Sequence, residues 1–454
     1  MRNDNTELFE KMPVSRAIMT LVLPTIVGQM ITVLYNMADT FFIGMINNPD
    51  QIAASTLAMP IFVMMLGVAN LFGIGGASLI SRSLGVSDKD KAKRAATFSI
   101  FGAVICAAIY GACAYLFRVP LLTWLGTDSA TYDYCFDYMF WTVTVGAIPT
   151  IVSATLAHLV RAEGYAKEAS LGVAIGGIAN IILDPIFIFT FGLQIKGAAI
   201  ATMISNAISA TYFIALITKN HKTTCIAPDP KKFTLRYGIP KEILLVGFPS
   251  FLMLLMGTVS NLVLNKLVVS YSNVALAGLG IAKKLDMLAF AIANGMTQGV
   301  MPLIGYNYAS GNRERMNSVI KKSFIYSVGV ATVGAVFLLV CAVPVSALFI
   351  DDAATVEHAQ YFLRTMAITC PAISATMMTI ATLQATGEKN KPLFLSLIRK
   401  GGLDIPIVLV LESLAGLTAI AWATPLSDVL AMLISLAVFI PHMKTLKSIG
   451  SAKD

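Results

Sequence analysis

What most constrains this chain is a series of continuous apolar runs, each near twenty residues long, that recurs from one end of the sequence to the other. A helix of about 20 apolar residues matches the hydrocarbon thickness of a bilayer. Inside lipid every backbone polar group must be satisfied within the fold, which leaves only helices or a closed barrel. Barrel strands alternate apolar with polar over about ten residues. These runs do not alternate and are rich in Leu, Ile, Ala and Met, so the spans are helical. With 56% hydrophobic and 13% charged residues among 454, the chain has material for spans and little else. A soluble catalytic domain is excluded, and the expected fold is an all-α polytopic membrane protein.

Spans are predicted at 17–46, 53–81, 96–117, 136–157, 169–191, 197–218, 243–270, 275–305, 323–350, 361–385, 393–413 and 417–442, twelve in all. With a cytoplasmic N-terminus, 25 of the 33 Lys and Arg fall in inside segments, Arg2, Arg161, Lys447 and Lys453 among them, and 4 fall outside. That bias predicts both termini in the cytoplasm of a cell (plasma) membrane protein. Residues 1–16 mix charges of both signs without a short apolar core, so no removable signal peptide is expected. The net charge of +8 lies in these small clusters, not on an aromatic-interleaved basic face, which argues against nucleic acid. Six cysteines and four scattered histidines show no metal or nucleophile spacing, so neither an enzyme nor a cofactor is expected.

A shift of about 225 residues brings the two halves into register. Leu23-Pro24 falls near Phe248-Pro249, Pro149 near Pro371, Arg161 to Gly164 near Gln384 to Gly387, and Asp184-Pro185 near Ile405-Pro406. Repeats of six spans each enter the membrane from the same side, which predicts two six-helix lobes related by a pseudo-twofold axis along the membrane normal and a substrate cleft between them. The lobes are read as 1–220 and 243–446, with a cytoplasmic linker at 221–242 and a tail at 447–454. Pro24 and Pro249 each remove a backbone hydrogen bond from the first helix of a lobe. A static bend is expected at Pro249, whereas at Pro24 a moving hinge and a static bend stand equal.

Charged side chains near the bilayer centre cost about 2.5–3.5 kcal/mol on insertion scales, so Asp39 and Asp184 require a proton, a cation or water. Each sits eight residues before the outer end of its helix, and Thr202 and Asn180 fall at a similar level. Two carboxylates, an amide oxygen and a hydroxyl can therefore converge on H⁺ or Na⁺, with no other metal expected. Asn180 and Thr202 fit equally well as polar residues that join helices.

In the second half Lys283 and Asp286 are spaced i, i+3 and Lys400 and Asp404 i, i+4, which predicts local neutralisation on one helix face. Arg399 and Lys400 can also snorkel to headgroups. Met64, Met65, Met253, Met256, Met287 and Met296 suit either an adaptable cleft or ordinary apolar packing. Gly73, Gly75 and Gly76 point to close helix packing, since no phosphate-loop lysine follows.

The stretch Leu23-Pro24-Thr25-Ile26 followed by Asn36 to Gly44 resembles the first helix of the multidrug and toxic compound extrusion (MATE) transporters. Asn180 to Pro185, Gly197 to Thr202, and Gln298 to Gly311 resemble further segments of the same family. The resemblance implies a multidrug efflux antiporter, acting as a monomer in the bilayer and exporting small amphipathic, often cationic drugs against inward H⁺ or Na⁺. It is nearest to the bacterial branch whose acids lie in the N-terminal lobe. A lipid-linked sugar flippase is the alternative, and it would need several basic residues facing the cleft to hold a pyrophosphate.

Overall fold

The computed structural model describes residues 7–347, 349 and 352–451. Arg2 and Lys453, counted above among the inside cations, and the end of the expected tail lie outside the described residues. The helices are numbered by crossing. They are α1 (Val14–Met45), α2 (Pro49–Gly85), α3 (Lys89–Leu116), α4 (Tyr132–Val145 with Ala147–Ala162), α5 (Ala166–Thr190) and α6 (Gln194–Lys219). The second set is α7 (Ile239–Tyr271), α8 (Asn273–Ala309), α9 (Arg313–Ala347), α10 (Ala353–Ile368 with Cys370–Ala385), α11 (Asn390–Ile420) and α12 (Ala423–Ser451).

Among the described residues nine helices are long and apolar enough to cross a membrane, and eleven crossings result when each bent pair counts as one. The 37-residue α8 is not among these, although its length exceeds a bilayer. Local chemistry sets several starts. Asn48 caps α2 through the Asp50 amide at 3.0 Å, Asp88 caps α3 through the Lys91 amide at 2.9 Å, and Ser272 caps α8.

The two sets repeat one another element by element. The fourth member is broken in both, by 50° in α4 and 45° in α10. Pro149 and Pro371 stand in the first turn after each break, where a missing N–H and ring clash favour a bend. Each second segment ends on a left-handed glycine, Gly164 at φ +97° and Gly387 at φ +80°. The fifth member holds a π-helical stretch in both, Ile186–Thr190 and Ile398–Asp404, next to the Asp184-Pro185 and Asp404-Ile405-Pro406 sequences.

Within each set the helices pack mainly on one another, and the sets meet along a seam of α1 and α2 with α7 and α8. The seam is closed at the end that carries the chain start and the α6–α7 connection. A Cβ built on Gly295 would come within 2.6 Å of Ile26 Cα, and one on Gly299 within 2.8 Å of Val22 Cα. Gly75 lies against the Ile243 carbonyl and Gly247 against that of Leu71. Arg82 Nη1 pairs with Glu242 at 2.7 Å across the same seam. The π-helical turn Glu7–Lys11 straps it from outside: Phe9 stacks on Tyr306 at 4.7 Å and touches Gly164, while Arg315 Nε donates to the Phe9 carbonyl at 2.7 Å.

The connection between the sets is not a free tether. Phe233 stacks on Phe98, the Asp229 amide donates to Thr97, and Glu163 accepts from both the Thr224 hydroxyl and the Cys225 amide. Burial pushes the Glu163 carboxyl up from its ordinary value, and burial beside that carboxyl pushes the Cys225 thiol up to about 11. Helix α7 begins at Ile239, four residues before the expected start at 243.

Candidate functional site

Three polar groups interrupt the apolar interior. The first lies in the part of the first set away from the α6–α7 connection. Asp184 is fully buried, its Oδ1 accepts from Asn180 Nδ2 at 3.2 Å, and its Oδ2 has no hydrogen-bond partner. The same Asn180 amide reaches Thr202 Oγ1 at 3.4 Å. Asp39, on α1, lies near enough to interact electrostatically with Asp184, and its Oδ1 is also unpartnered. Asp39, Asp184, Asn180 and Thr202 thus occupy one neighbourhood, and Tyr35 and Tyr138 lie within electrostatic reach of it. Among the described residues no Lys or Arg pairs with either aspartate. The geometry follows from local sequence: Asn180 and Asp184 are one turn apart on α5, and the proline and π-helical stretch that follow Asp184 disturb regular backbone bonding there.

The second group lines the space between the sets. A cleft of about 1370 Å³ runs past Gln29, Tyr35, Asn36, Ser205, Asn206 and Met287. It shares Asn70, His158, Arg161, Phe290, Asn294 and Gln298 with a deeper pocket of about 750 Å³. The aspartate site lies one turn beyond its wall, since Asn36 precedes Asp39 and Asn206 follows Thr202 on their helices. Arg161 belongs here and not in an exposed inside loop: the helix continues through Ala162, five residues past the expected span end, and turns Arg161 inward. Among the lining residues of cleft and pocket Arg161 is the only cation, which is too few for a pyrophosphate clamp.

Of the methionines, Met287 lines the cleft and Met253 the deeper pocket. Met65 and Met296 are packed in separate apolar cores, and Met64 and Met256 line neither space. Of the six, two therefore border the cleft or its pocket and two are buried in packed cores.

The third group lies in the second set and differs from expectation in two respects. Lys283 makes no direct ion pair with Asp286, although the two stay within electrostatic reach: its Nζ donates to Asn265 Oδ1 at 2.9 Å, while Asp286 lines a separate pocket with Ser327 and Cys370. Two side chains three residues apart can diverge when a neighbouring helix offers one of them a partner. Arg399 does not snorkel. It is buried, and its Nε pairs with Asp428 at 3.2 Å. Lys400 Nζ does meet Asp404 Oδ2, at 2.9 Å, and Ser260 donates to the same oxygen at 2.7 Å. Asp428 was absent from the sequence argument, although an acid inside the apolar run of α12 was a usable signal.

Comparison with known proteins fits this architecture. The MatE family model matches twice, over residues 24–186 and 249–410, once in each helix set. The chain is 32% identical to the multidrug export protein MepA of Staphylococcus aureus (strain MRSA252), covering 96% of both chains. It is 31% identical to the MepA protein of Staphylococcus haemolyticus, over 97% of this chain and 96% of that one. Its fold is similar to that of a MATE transporter crystallised in complex with MaL6, with a TM-score of 0.92, 23% identity, and 99% of this chain and 100% of that chain covered. From the doubled family match, the full-length relatives and the shared fold, it follows that this chain belongs to the MATE (MatE) family of membrane transporters.

Proposed function

We propose that the protein is a secondary active multidrug exporter that moves small amphipathic, often cationic compounds outward in exchange for H⁺ or Na⁺. Transporters of this family are ion-coupled, and both staphylococcal relatives are multidrug export proteins. The observation that carries the reading is the pair of aspartates without basic partners among the described residues, beside a cleft between two repeated helix sets. Carboxylates close together in a low dielectric cannot both stay ionised without a cation, so loading and release of the ion change the charge of the first set. The chain then acts as two lobes, 1–220 and 243–446, joined by the 221–242 linker, with cytoplasmic termini and ion-binding acids in the N-terminal lobe. The closed seam lies at the linker end, which makes the described arrangement outward-facing. Pro24 is the hinge candidate on α1.

The test is efflux of ethidium from proteoliposomes at fixed pH with and without a Na⁺ gradient, and again with a pH gradient alone. Export driven by either gradient supports the reading and identifies the ion. Failure of both gradients to drive export from a folded, inserted protein overturns it.

A further inference from the structure

A buried guanidinium stands at the deep end of the cleft without a counter-charge. Arg161 is 3% exposed and borders both the cleft and the deeper pocket. Its Nη1 donates to Gln298 Oε1 at 3.0 Å, its Nε has no partner, and no carboxylate among the described residues pairs with it. The acceptor it uses is already shared, because Gln29 Nε2 donates to the same Gln298 oxygen at 3.1 Å. Gln298 in turn donates to Asn294 Oδ1 at 3.1 Å. A neutral amide oxygen divided between two donors satisfies hydrogen-bond geometry but leaves the charge uncompensated, and a cation removed from water calls for an anion.

The surroundings define the kind of anion. A guanidinium offers a planar fork that matches the two oxygens of a carboxylate or phosphate, and the free Nε is one tine of it. One turn earlier on the same helix His158, whose Nε2 is 3.2 Å from Asn70 Oδ1, borders the same space. The adjoining walls are apolar, formed by Leu66, Leu254 and Phe290. We propose that this end of the cleft is an anion subsite, in which Arg161 receives the carboxylate or similar oxyanion of an amphipathic substrate whose apolar body lies along those walls. The proposal rests on the reading of the cleft as the substrate site. It divides that site by charge, with acids beyond the outer wall and one cation at the inner end, so that a zwitterion lies lengthwise between them.

The test uses the full chain in phosphatidylcholine nanodiscs and three probes: 1-pyrenebutyrate, its uncharged amide, and ethidium. Wild type binds the acid about tenfold more tightly than the amide, in line with a charge-assisted bidentate contact. Arg161→Gln abolishes that preference and binds ethidium more tightly, since a like charge has been removed, whereas Arg161→Lys retains part of the preference and shows that the site still folds. Anionic phosphatidylglycerol in the discs separates two sources of the oxyanion. If it weakens acid binding in wild type and not in Arg161→Gln, a lipid headgroup shares the subsite; if it weakens neither, the subsite serves soluble carboxylates. Equal binding of acid and amide in wild type, or a preference that survives Arg161→Gln, overturns the proposal while ethidium binding leaves the cleft reading intact. If none of the probes binds, the cleft is not a substrate site and both readings fall.

Discussion

At the scale of single residues, the decisive contrast is between buried acids with a fixed partner and buried acids without one. Asp428 has Arg399 at 3.2 Å, and both are almost fully buried. Removing one member strands a charge, so Asp428→Asn should lower stability by about 3–5 kcal/mol, whereas the double apolar replacement Arg399→Met with Asp428→Leu should recover much of the loss. Thermal unfolding of the three purified proteins checks this, and equal losses in single and double variants would contradict it. Asp39 and Asp184 lack any such cation among the described residues. Asp39→Asn and Asp184→Asn keep the side-chain shape but cannot cycle a charge. Each is expected to abolish gradient-driven export while membrane insertion and thermal stability are retained. Near-normal transport driven by an imposed gradient in either variant would remove that residue from coupling.

At the scale of helices, the positions that matter are those where the backbone ladder is interrupted. Pro24 removes the hydrogen bond that its amide would donate to the Thr20 carbonyl, one residue before the Thr25 hydroxyl bonds to the Leu21 carbonyl at 2.7 Å. Downstream the same helix carries Asp39, so ion loading at Asp39 has its softest mechanical outlet at this proline. Pro24→Ala restores a donor and should stiffen α1. The expected result is slower turnover with drug affinity nearly unchanged, because the cleft walls lie beyond the proline; unchanged turnover in the purified variant would show the bend to be static. The bends in α4 and α10 are a different device. They recur at equivalent positions of both sets, which marks them as part of the repeated framework.

At the scale of the whole molecule, closure at the linker end depends on backbone touching backbone. Gly247 meets the Leu71 carbonyl and Gly75 the Ile243 carbonyl, with no space for a Cβ at either place. A flexible side chain could swing aside, but main chain within a helix cannot do so cheaply. Gly247→Val should therefore part α2 from α7, loosen the Arg82–Glu242 contact and suppress export. Spin labels on the linker-end turns of these two helices read the separation directly, and an unchanged distance distribution with normal export would refute this account of the seal. The strap at Phe9 spans the same seam, touching Gly164 of one set and Tyr306 of the other, so it too must yield if the seam opens.

Legible in the chain alone were the membrane, the helical class, the doubled plan and an expected common level for Asp39 and Asp184. These follow from run length, from the order of motifs, and from a fixed rise per residue along one helix. Asn180 and Asp184 were legible for the same reason, being one turn apart on a single element. The partner that a long side chain takes among several helices emerges only once the helices are packed. Lys283 crosses to Asn265, Arg399 finds Asp428 from another element, and Arg161 turns into the cleft once its helix runs past the expected end. Periodicity places a residue on a face, but it carries no information about the helix opposite that face, and at the seam that opposing helix comes from the other half of the chain.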